Sequence, residues 1–223
     1  MSQRTRILSQ IAGFVGWKVV SVHWETATGQ PLEPVAGYEV AADAVLIVAM
    51  GRRWAPRCSH CLAIAHSGAC HEHCRVRRWA DLPWAGHRVM LEYAPIRVDC
   101  DRCGAHAVEL LAWAEPRQRQ TRRLQHYVAL DAFSMPLSHV ATKWGLSWRT
   151  VRRAEQGAID RWAQTRPTPP LRQVGLDEKW LGRRHQRPEK FVTIVSNLET
   201  GEPVWLGYGR DANFVKGWIT TLS

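Results

Sequence analysis

Acidic side chains are scarce in this chain: 20 Asp and Glu stand against 30 Lys and Arg, which leaves a formal charge of +10 and a pI near 9.8. A protein so charged is drawn to polyanions, and nucleic acid is the first candidate. Long hydrophobic runs are also missing. The most apolar stretch, Ala44 to Met50, is far too short to cross a bilayer and reads as a buried strand, so no membrane partner is expected and the chain is placed in the cytoplasm. Ile11 to Val15 is likewise too short for the hydrophobic core of a signal peptide, so nothing argues for an oxidising compartment in which the six cysteines would pair as disulfides.

The cysteines instead fall into metal-binding spacing. Cys58-Ser-His-Cys61 and Cys100-Asp-Arg-Cys103 are two C-x-x-C turns, each aiming two sulfurs at one point, as a tetrahedral zinc site of four thiolates requires. Cys70 and Cys74 offer an alternative local set with Cys58 and Cys61, and His60, His66, His71 and His73 could compete. Equal knuckles are the commoner geometry, so the outer pairs are preferred. Val89 to Tyr93 and Ile96 to Val98 read as strands carrying the second knuckle back to the first, with Trp79, Leu82, Pro83 and Trp84 packed beneath that ribbon. Arg52, Arg53 and Arg57 before Cys58, and Arg75, Arg77 and Arg78 after it, surround the site with cations that either touch phosphate or solvate a domain poor in acids.

Ahead of this module, residues 17 to 24 alternate in the manner of a half-buried strand, with Lys18, Val20, Val22 and Trp24 as the more apolar set, and Val45 to Val48 is its partner. After Pro116 the period becomes helical. Leu124, Tyr127, Val128, Leu130 and Phe133 mark a helix ended by Pro136; Ser138 caps a short second helix; Gly145 turns the chain; and Ser147 caps a third helix reaching about Gln164, stopped by Pro167, Pro169 and Pro170. Ala141, Gly145, Leu146, Val151 and Ala154 fit the inward pattern of a helix-turn-helix. Trp148, Arg149, Arg152, Arg153 and Gln156 then face outward as candidate DNA contacts. Charge supports this, because Arg117 to Arg166 holds ten Lys or Arg against three acids.

From Gln173 the pattern changes again. Val174-Gly175-Leu176 is a strand delivering Asp177 and Glu178 at its end, Phe191 to Val195 and Val204 to Leu206 are two more strands around a turn at Glu199-Thr-Gly201, and Ala212 to Leu222 is a helix with Phe214, Trp218 and Leu222 on one face beside Val215 and Ile219. The whole is α+β and multidomain, divided as residues 1–114 (strands and zinc ribbon with a small antiparallel sheet), 117–166 (helix-turn-helix) and 173–223.

This order of parts resembles the bacterial insertion-sequence transposases of the ISL-three family. The marks that carry the resemblance are the two cysteine knuckles, Arg78-Trp-Ala-Asp-Leu-Pro-Trp-Ala-Gly86, and Val174-Gly-Leu-Asp-Glu178 followed by Phe191-Val-Thr-Ile-Val195 and Glu199-Thr-Gly201. The resemblance implies that residues 173–223 begin a ribonuclease-H-like DDE domain, with Asp177 as its first catalytic carboxylate and a ligand of magnesium or manganese. Glu178 would point away, and His185 would be a surface or DNA-contact residue. It implies double-stranded DNA at terminal inverted repeats as the partner and leaves a homodimer open. Three carboxylates hold the two cations that such phosphoryl chemistry uses, and the second and third are not reached by Ser223. The expectation is therefore an N-terminal part of a transposase that binds DNA and does not cleave it alone. Two other functions stand beside it: a stand-alone regulator or inhibitor of transposition, and a zinc-ribbon protein that binds RNA or another protein, for which the twelve tryptophans argue because aromatics stack on unpaired bases.

Overall fold

Alternating apolar residues build the first sheet, and one inserted residue decides which way they face. The computed structural model describes residues 3–66, 70–166, 170–184, 186 and 188–220. Expectations resting on Pro167, Pro169, His185 and Leu222, or on the side chains of Cys70, His71 and Phe214, lie outside what is described. The chain divides into two compact units, Met1–Gln164 and Thr165–Ser223.

The first unit opens with helix α1 (Gln3–Ala12), which the sequence reading did not anticipate, followed by strands β1 (Trp17–Glu25), β2 (Pro31–Leu32) and β3 (Val45–Arg52). After the first knuckle come β4 (Cys70–His73), β5 (Arg77–Trp84), β6 (His87–Tyr93), β7 (Ile96–Asp99) and β8 (His106–Val108). Five strands form a sheet in the order β2-β1-β3-β6-β5, and β4-β7-β8 form a second sheet of three. The large sheet is mixed, because β3 and β6 run parallel. This corrects the expected ribbon: β6 joins the large sheet, and only β7 leads to the second knuckle. Trp79 accordingly belongs to the core of the large sheet, and Trp84 is exposed.

The face of β1 is also corrected. Its register against β3 shifts between Val19 and Ser21, and this bulge reverses the alternation. Trp17 and Val19 face the core before it; Trp24, paired with Leu46, packs against that core after it; and Val20 and Val22 are exposed. The Val19 amide beside the bulge donates to the buried hydroxyl of Ser9 at 2.8 Å, so α1 supplies an acceptor beside the irregularity. Trp113 closes this core, edge-on to Trp17 and Trp79 with ring centroids 5.5 and 5.0 Å away. On the opposite face Arg78 binds both carboxylate oxygens of Glu25, at 2.6 and 2.8 Å, and reaches Glu92 at 2.8 Å. Arg78 holds Glu25 below the ordinary carboxylate range, with further help from His23.

Three helices follow: α2 (Arg122–Ser134), α3 (Leu137–Trp144) and α4 (Trp148–Thr165). Thr121 caps α2, its hydroxyl accepting from the Leu124 amide. Pro136, and not Ser138, occupies the N-cap of α3, and no side chain caps it. Pro suits this place because its missing N–H would go unpaired at a helix start. Gly145 ends α3 in the left-handed region at φ 60°, and Ser147 caps α4 by accepting from the Thr150 amide. The helical core is Leu124, Val128, Val140, Val151 and Ala154, with Ala80 and Leu82 of β5 packed on it. The face of α2 differs from the sequence pattern: Val128 and Ala129 are buried, whereas Tyr127, Leu130 and Phe133 are exposed.

The second unit holds β9 (Val174–Trp180), β10 (Phe191–Asn197), β11 (Pro203–Tyr208) and α5 (Ala212–Ile219). The strands pair antiparallel in the order β11-β10-β9. Val192 and Val195 of the central strand are buried, and the buried Asn197 accepts from the Glu199 amide to shape the turn into β11. Trp218 of α5 lies 5.8 Å from the ring of Trp205 on β11.

Two stability predictions follow from local geometry. Ala85 and Gly86 form the two-residue loop between β5 and β6, both with positive φ, 49° and 82°, in the manner of a type I′ turn. Ala85→Asn suits that conformation better and should stabilise the fold by about 0.5 kcal/mol, read as a raised midpoint in urea; a lowered midpoint would contradict the turn. Asp131 of α2 accepts from Trp144 Nε1 at 2.6 Å and pairs with Lys143 Nζ at 2.8 Å on α3, and Lys143 chiefly, with Trp144, holds its carboxyl below the ordinary aspartate range. A depressed carboxylate stabilises above its unfolded pKa and loses that contribution as pH falls through the folded one. Asp131→Asn should therefore cost about 1 kcal/mol at pH 7, with the gap to the parent closing below about pH 4 in denaturation curves. A gap independent of pH would contradict it.

Candidate metal centre and nucleic-acid interface

Both cysteine knuckles have the same backbone plan. In the first, the Leu62 amide donates to the Cys58 carbonyl and the Cys58 amide to the Ala63 carbonyl; in the second, Gly104 donates to Cys100 and Cys100 to Ala105. The fifth residue of each turn lies in the left-handed region, Leu62 at φ 64° and Gly104 at φ 68°. Glycine adopts it without strain, whereas leucine does so because the knuckle requires it.

These turns bring the sulfurs of Cys58, Cys61, Cys100 and Cys103 within 4.8 Å of one another, the one such cluster of three or more potential ligands among the described residues. Cys58 lies 3.8 Å from Cys103, and Cys61 lies 3.4 Å from Cys100. A disulfide needs about 2.05 Å, while four thiolates about 2.3 Å from one zinc sit about 3.8 Å apart. The site therefore fits zinc in its donor set and in its spacing. The Cys61 and His60 amides hold the Cys58 thiol below its ordinary value, and the Cys103 amide leads the groups that draw Cys100 down to about 7. Cys103 goes the other way: the Ala105 amide favours its thiolate, but desolvation and the neighbouring sulfurs push it up to about 12. Thiolates crowded in this way repel one another, and a divalent cation relieves that repulsion. Cys74, half-buried, is not in the cluster.

The expected outward face of α4 is present. Trp148, Arg149, Arg152, Arg153 and Gln156 are all exposed, while Val151 and Ala154 anchor the helix. Their engagements differ. Arg152 is paired with Glu155, Gln156 donates to Asp160 at 2.9 Å, and Arg153 donates to Gln118 at 3.4 Å. Arg149 makes no ion pair among the described residues. Of the arginines flanking the knuckle, two are internal: Arg78 in its carboxylate pair, and Arg52, whose Nε donates to Tyr93 at 2.7 Å and lies 3.2 Å from the buried Glu109. Neither is available to phosphate.

Asp177 is placed in the middle of β9 opposite Ile194, not at the strand end as the sequence pattern suggested, because the strand continues to Trp180. Glu178 follows on the other face, and both are exposed.

Comparison with known proteins agrees with this geometry. The family model for the helix-turn-helix domain of transposase family ISL3 matches residues 109–156. The chain is 25% identical over 217 residues to the transposase for insertion sequence element IS1001 of Bordetella parapertussis, an alignment covering 97% of this chain and 48% of that protein. It is 29% identical over 143 residues to the transposase for insertion sequence element IS1557 of Mycobacterium tuberculosis, covering 61% of this chain and 30% of that protein. The chain is thus similar to insertion-sequence transposases along nearly its whole length. It spans about half the length of the first of these relatives. No solved structure matches. The matched helix-turn-helix segment begins at Glu109, ahead of α2, and takes in the loop that carries Arg117, Gln118 and Arg119. No described helix is long and apolar enough to cross a membrane.

Structural zinc supplies about 10 kcal/mol or more of folding free energy at sites of this kind. Reduced protein should contain one zinc per chain, and Cys61→Ser or Cys100→Ser should abolish its retention, measured by atomic emission after dialysis. A metal-free parent chain with intact β4-β7-β8 amide protection would contradict the site.

Proposed function

We propose that this chain is the DNA-binding portion of an insertion-sequence transposase, docking α4 into the major groove at the element's terminal inverted repeats. The observation that carries this reading is the α4 face, where five polar or aromatic side chains are exposed on a helix held by Val151 and Ala154. On such a face arginines bind phosphate or the O6 and N7 edge of guanine. The division into residues 1–114, 117–166 and 173–223 assigns zinc-stapled strands, the helix-turn-helix and the opening of a ribonuclease-H-like domain. The antiparallel order β11-β10-β9 followed by α5 supports that last assignment. Asp177 would be the first carboxylate of a magnesium or manganese site, but one carboxylate does not hold a pair of cations, and it is not part of the one ligand cluster. No cleavage step is therefore assigned to these residues. Cleavage and strand transfer belong, in this reading, to a full-length enzyme.

The engagements on α4 rank its residues. Arg149→Ala should weaken binding to a terminal-repeat duplex and lower the salt slope by about 1. Arg152→Ala should cost less, because Arg152 must first leave Glu155, and Glu155→Gln should tighten binding. Fluorescence anisotropy across a salt series reads all three. Equal affinity of parent and Arg149→Ala would remove α4 from the interface.

A further inference from the structure

Four arginines that lie off the exposed face of α4 converge on one cleft of the first unit. The cleft is about 510 Å³ and is lined by Arg75, Arg77, Arg97 and Arg119, with His73 and Cys74, and among the described residues by no carboxylate. Arg75 lies between β4 and β5, Arg77 opens β5, Arg97 points outward from β7, and Arg119 belongs to the loop before α2. None has a carboxylate partner among the described residues. Arg119 is held with its guanidinium 5.7 Å over the ring of Trp79. Four like charges gathered without a carboxylate among the described residues repel one another, and an anion with several negative groups relieves that repulsion.

The cleft also connects to α4. Arg77 and Arg119 line a neighbouring depression of about 620 Å³ that continues to Arg117 and Gln118, and Gln118 accepts from Arg153 on α4. That depression also carries Glu109 and Glu115, of which Glu115 is paired with Arg122, and a series of basic and amide side chains thus runs from the sheet to the exposed face of the third helix. A single phosphate needs only one or two arginines, whereas a series of this kind matches the repeated phosphates of a nucleic-acid strand.

We propose that this cleft binds the sugar-phosphate backbone of duplex DNA flanking the bases that meet α4, giving the chain a second, sequence-independent grip. The proposal rests on the reading of α4 as a DNA-contacting helix. Arg75, Arg77, Arg97 and Arg119 contribute affinity and register without reading bases. Because β7 runs directly into Cys100, the metal centre fixes the position of Arg97. Because β5 carries both Arg77 and the residues packed on the helical core, the distance between the two grips is fixed as well.

The test uses the full chain loaded with zinc and two duplexes sharing one terminal-repeat core, one of about one helical turn and one of about three turns. Parent protein should bind the longer duplex more tightly and with a steeper salt slope. The triple variant Arg75→Ala, Arg77→Ala, Arg97→Ala should lose about 3 units of that slope on the long duplex and should bind the short duplex as the parent does. Arg149→Ala should weaken binding to both. If the parent binds neither duplex, the reading of α4 fails and this proposal falls with it. If the parent and Arg149→Ala behave as expected while the triple variant keeps the parent's slope on the long duplex, the cleft proposal alone is overturned. Equal losses by the triple variant on short duplex, long duplex, single-stranded RNA and heparin would also overturn it, because the cleft would then be a general polyanion patch.

Discussion

The arrangement of the first unit depends on the carboxylate of Asp81. Its side chain is almost wholly buried, and it accepts from Thr121 Oγ1 at 2.7 Å and from Arg123 Nε at 2.7 Å, with Arg123 Nη2 closing the pair. A charge in that position is tolerated only with such partners, and removing one of them from a buried pair costs about 3–5 kcal/mol. The partners are placed to join elements: Thr121 caps α2, and Arg123 also donates to the Ala12 carbonyl at the end of α1 and lies 4.2 Å over the ring of Phe14. One carboxylate on β5 thus fixes the start of the helix-turn-helix against the sheet. Apolar contacts alone would permit sliding, whereas hydrogen bonds of defined direction set a register.

The metal centre holds the other end of the same unit. Its two knuckles flank β4, β5, β6 and β7, so four thiolates at one point close a loop that contains two strands of the large sheet and two of the small one. Between that closure and Asp81 lies β5, whose residues alternate in duty: Arg77 to the basic cleft, Arg78 to the internal carboxylates, Trp79 to the aromatic core, Asp81 to α2, and Leu82 to the helical core. The segment Arg78 to Gly86 that marks the resemblance to transposases is therefore the strand on which the modules meet. Its closing Ala85-Gly86 turn sets the hairpin to β6.

Much of this was legible in the residues. Knuckle spacing named the four thiols because turn geometry is local, and helical period with Gly145 and Ser147 placed α3 and α4 because capping is local too. What escaped had non-local causes. The bulge at Val20 reverses a face by one inserted residue, which alternation alone does not reveal. Val128 and Ala129 took the core face of α2, and Tyr127, Leu130 and Phe133 were left outside because the side of a helix that is covered depends on its neighbours. The arginines near Cys58 and Cys74 looked alike in sequence. Only the fold separates Arg52 and Arg78, consumed by buried acids, from Arg75 and Arg77, which are open to a ligand. Asp177 was expected at a strand end, but β9 runs on to Trp180, so it stands within the strand.

Arginine modification by phenylglyoxal, read by mass spectrometry with and without a terminal-repeat duplex, tests most directly whether the two basic surfaces act together. The account requires Arg149 to be protected together with Arg75, Arg97 and Arg119, and Arg78 to be unreactive in both states. Protection confined to Arg149 and its neighbours on α4, with Arg75, Arg97 and Arg119 as reactive as in the free chain, would contradict it.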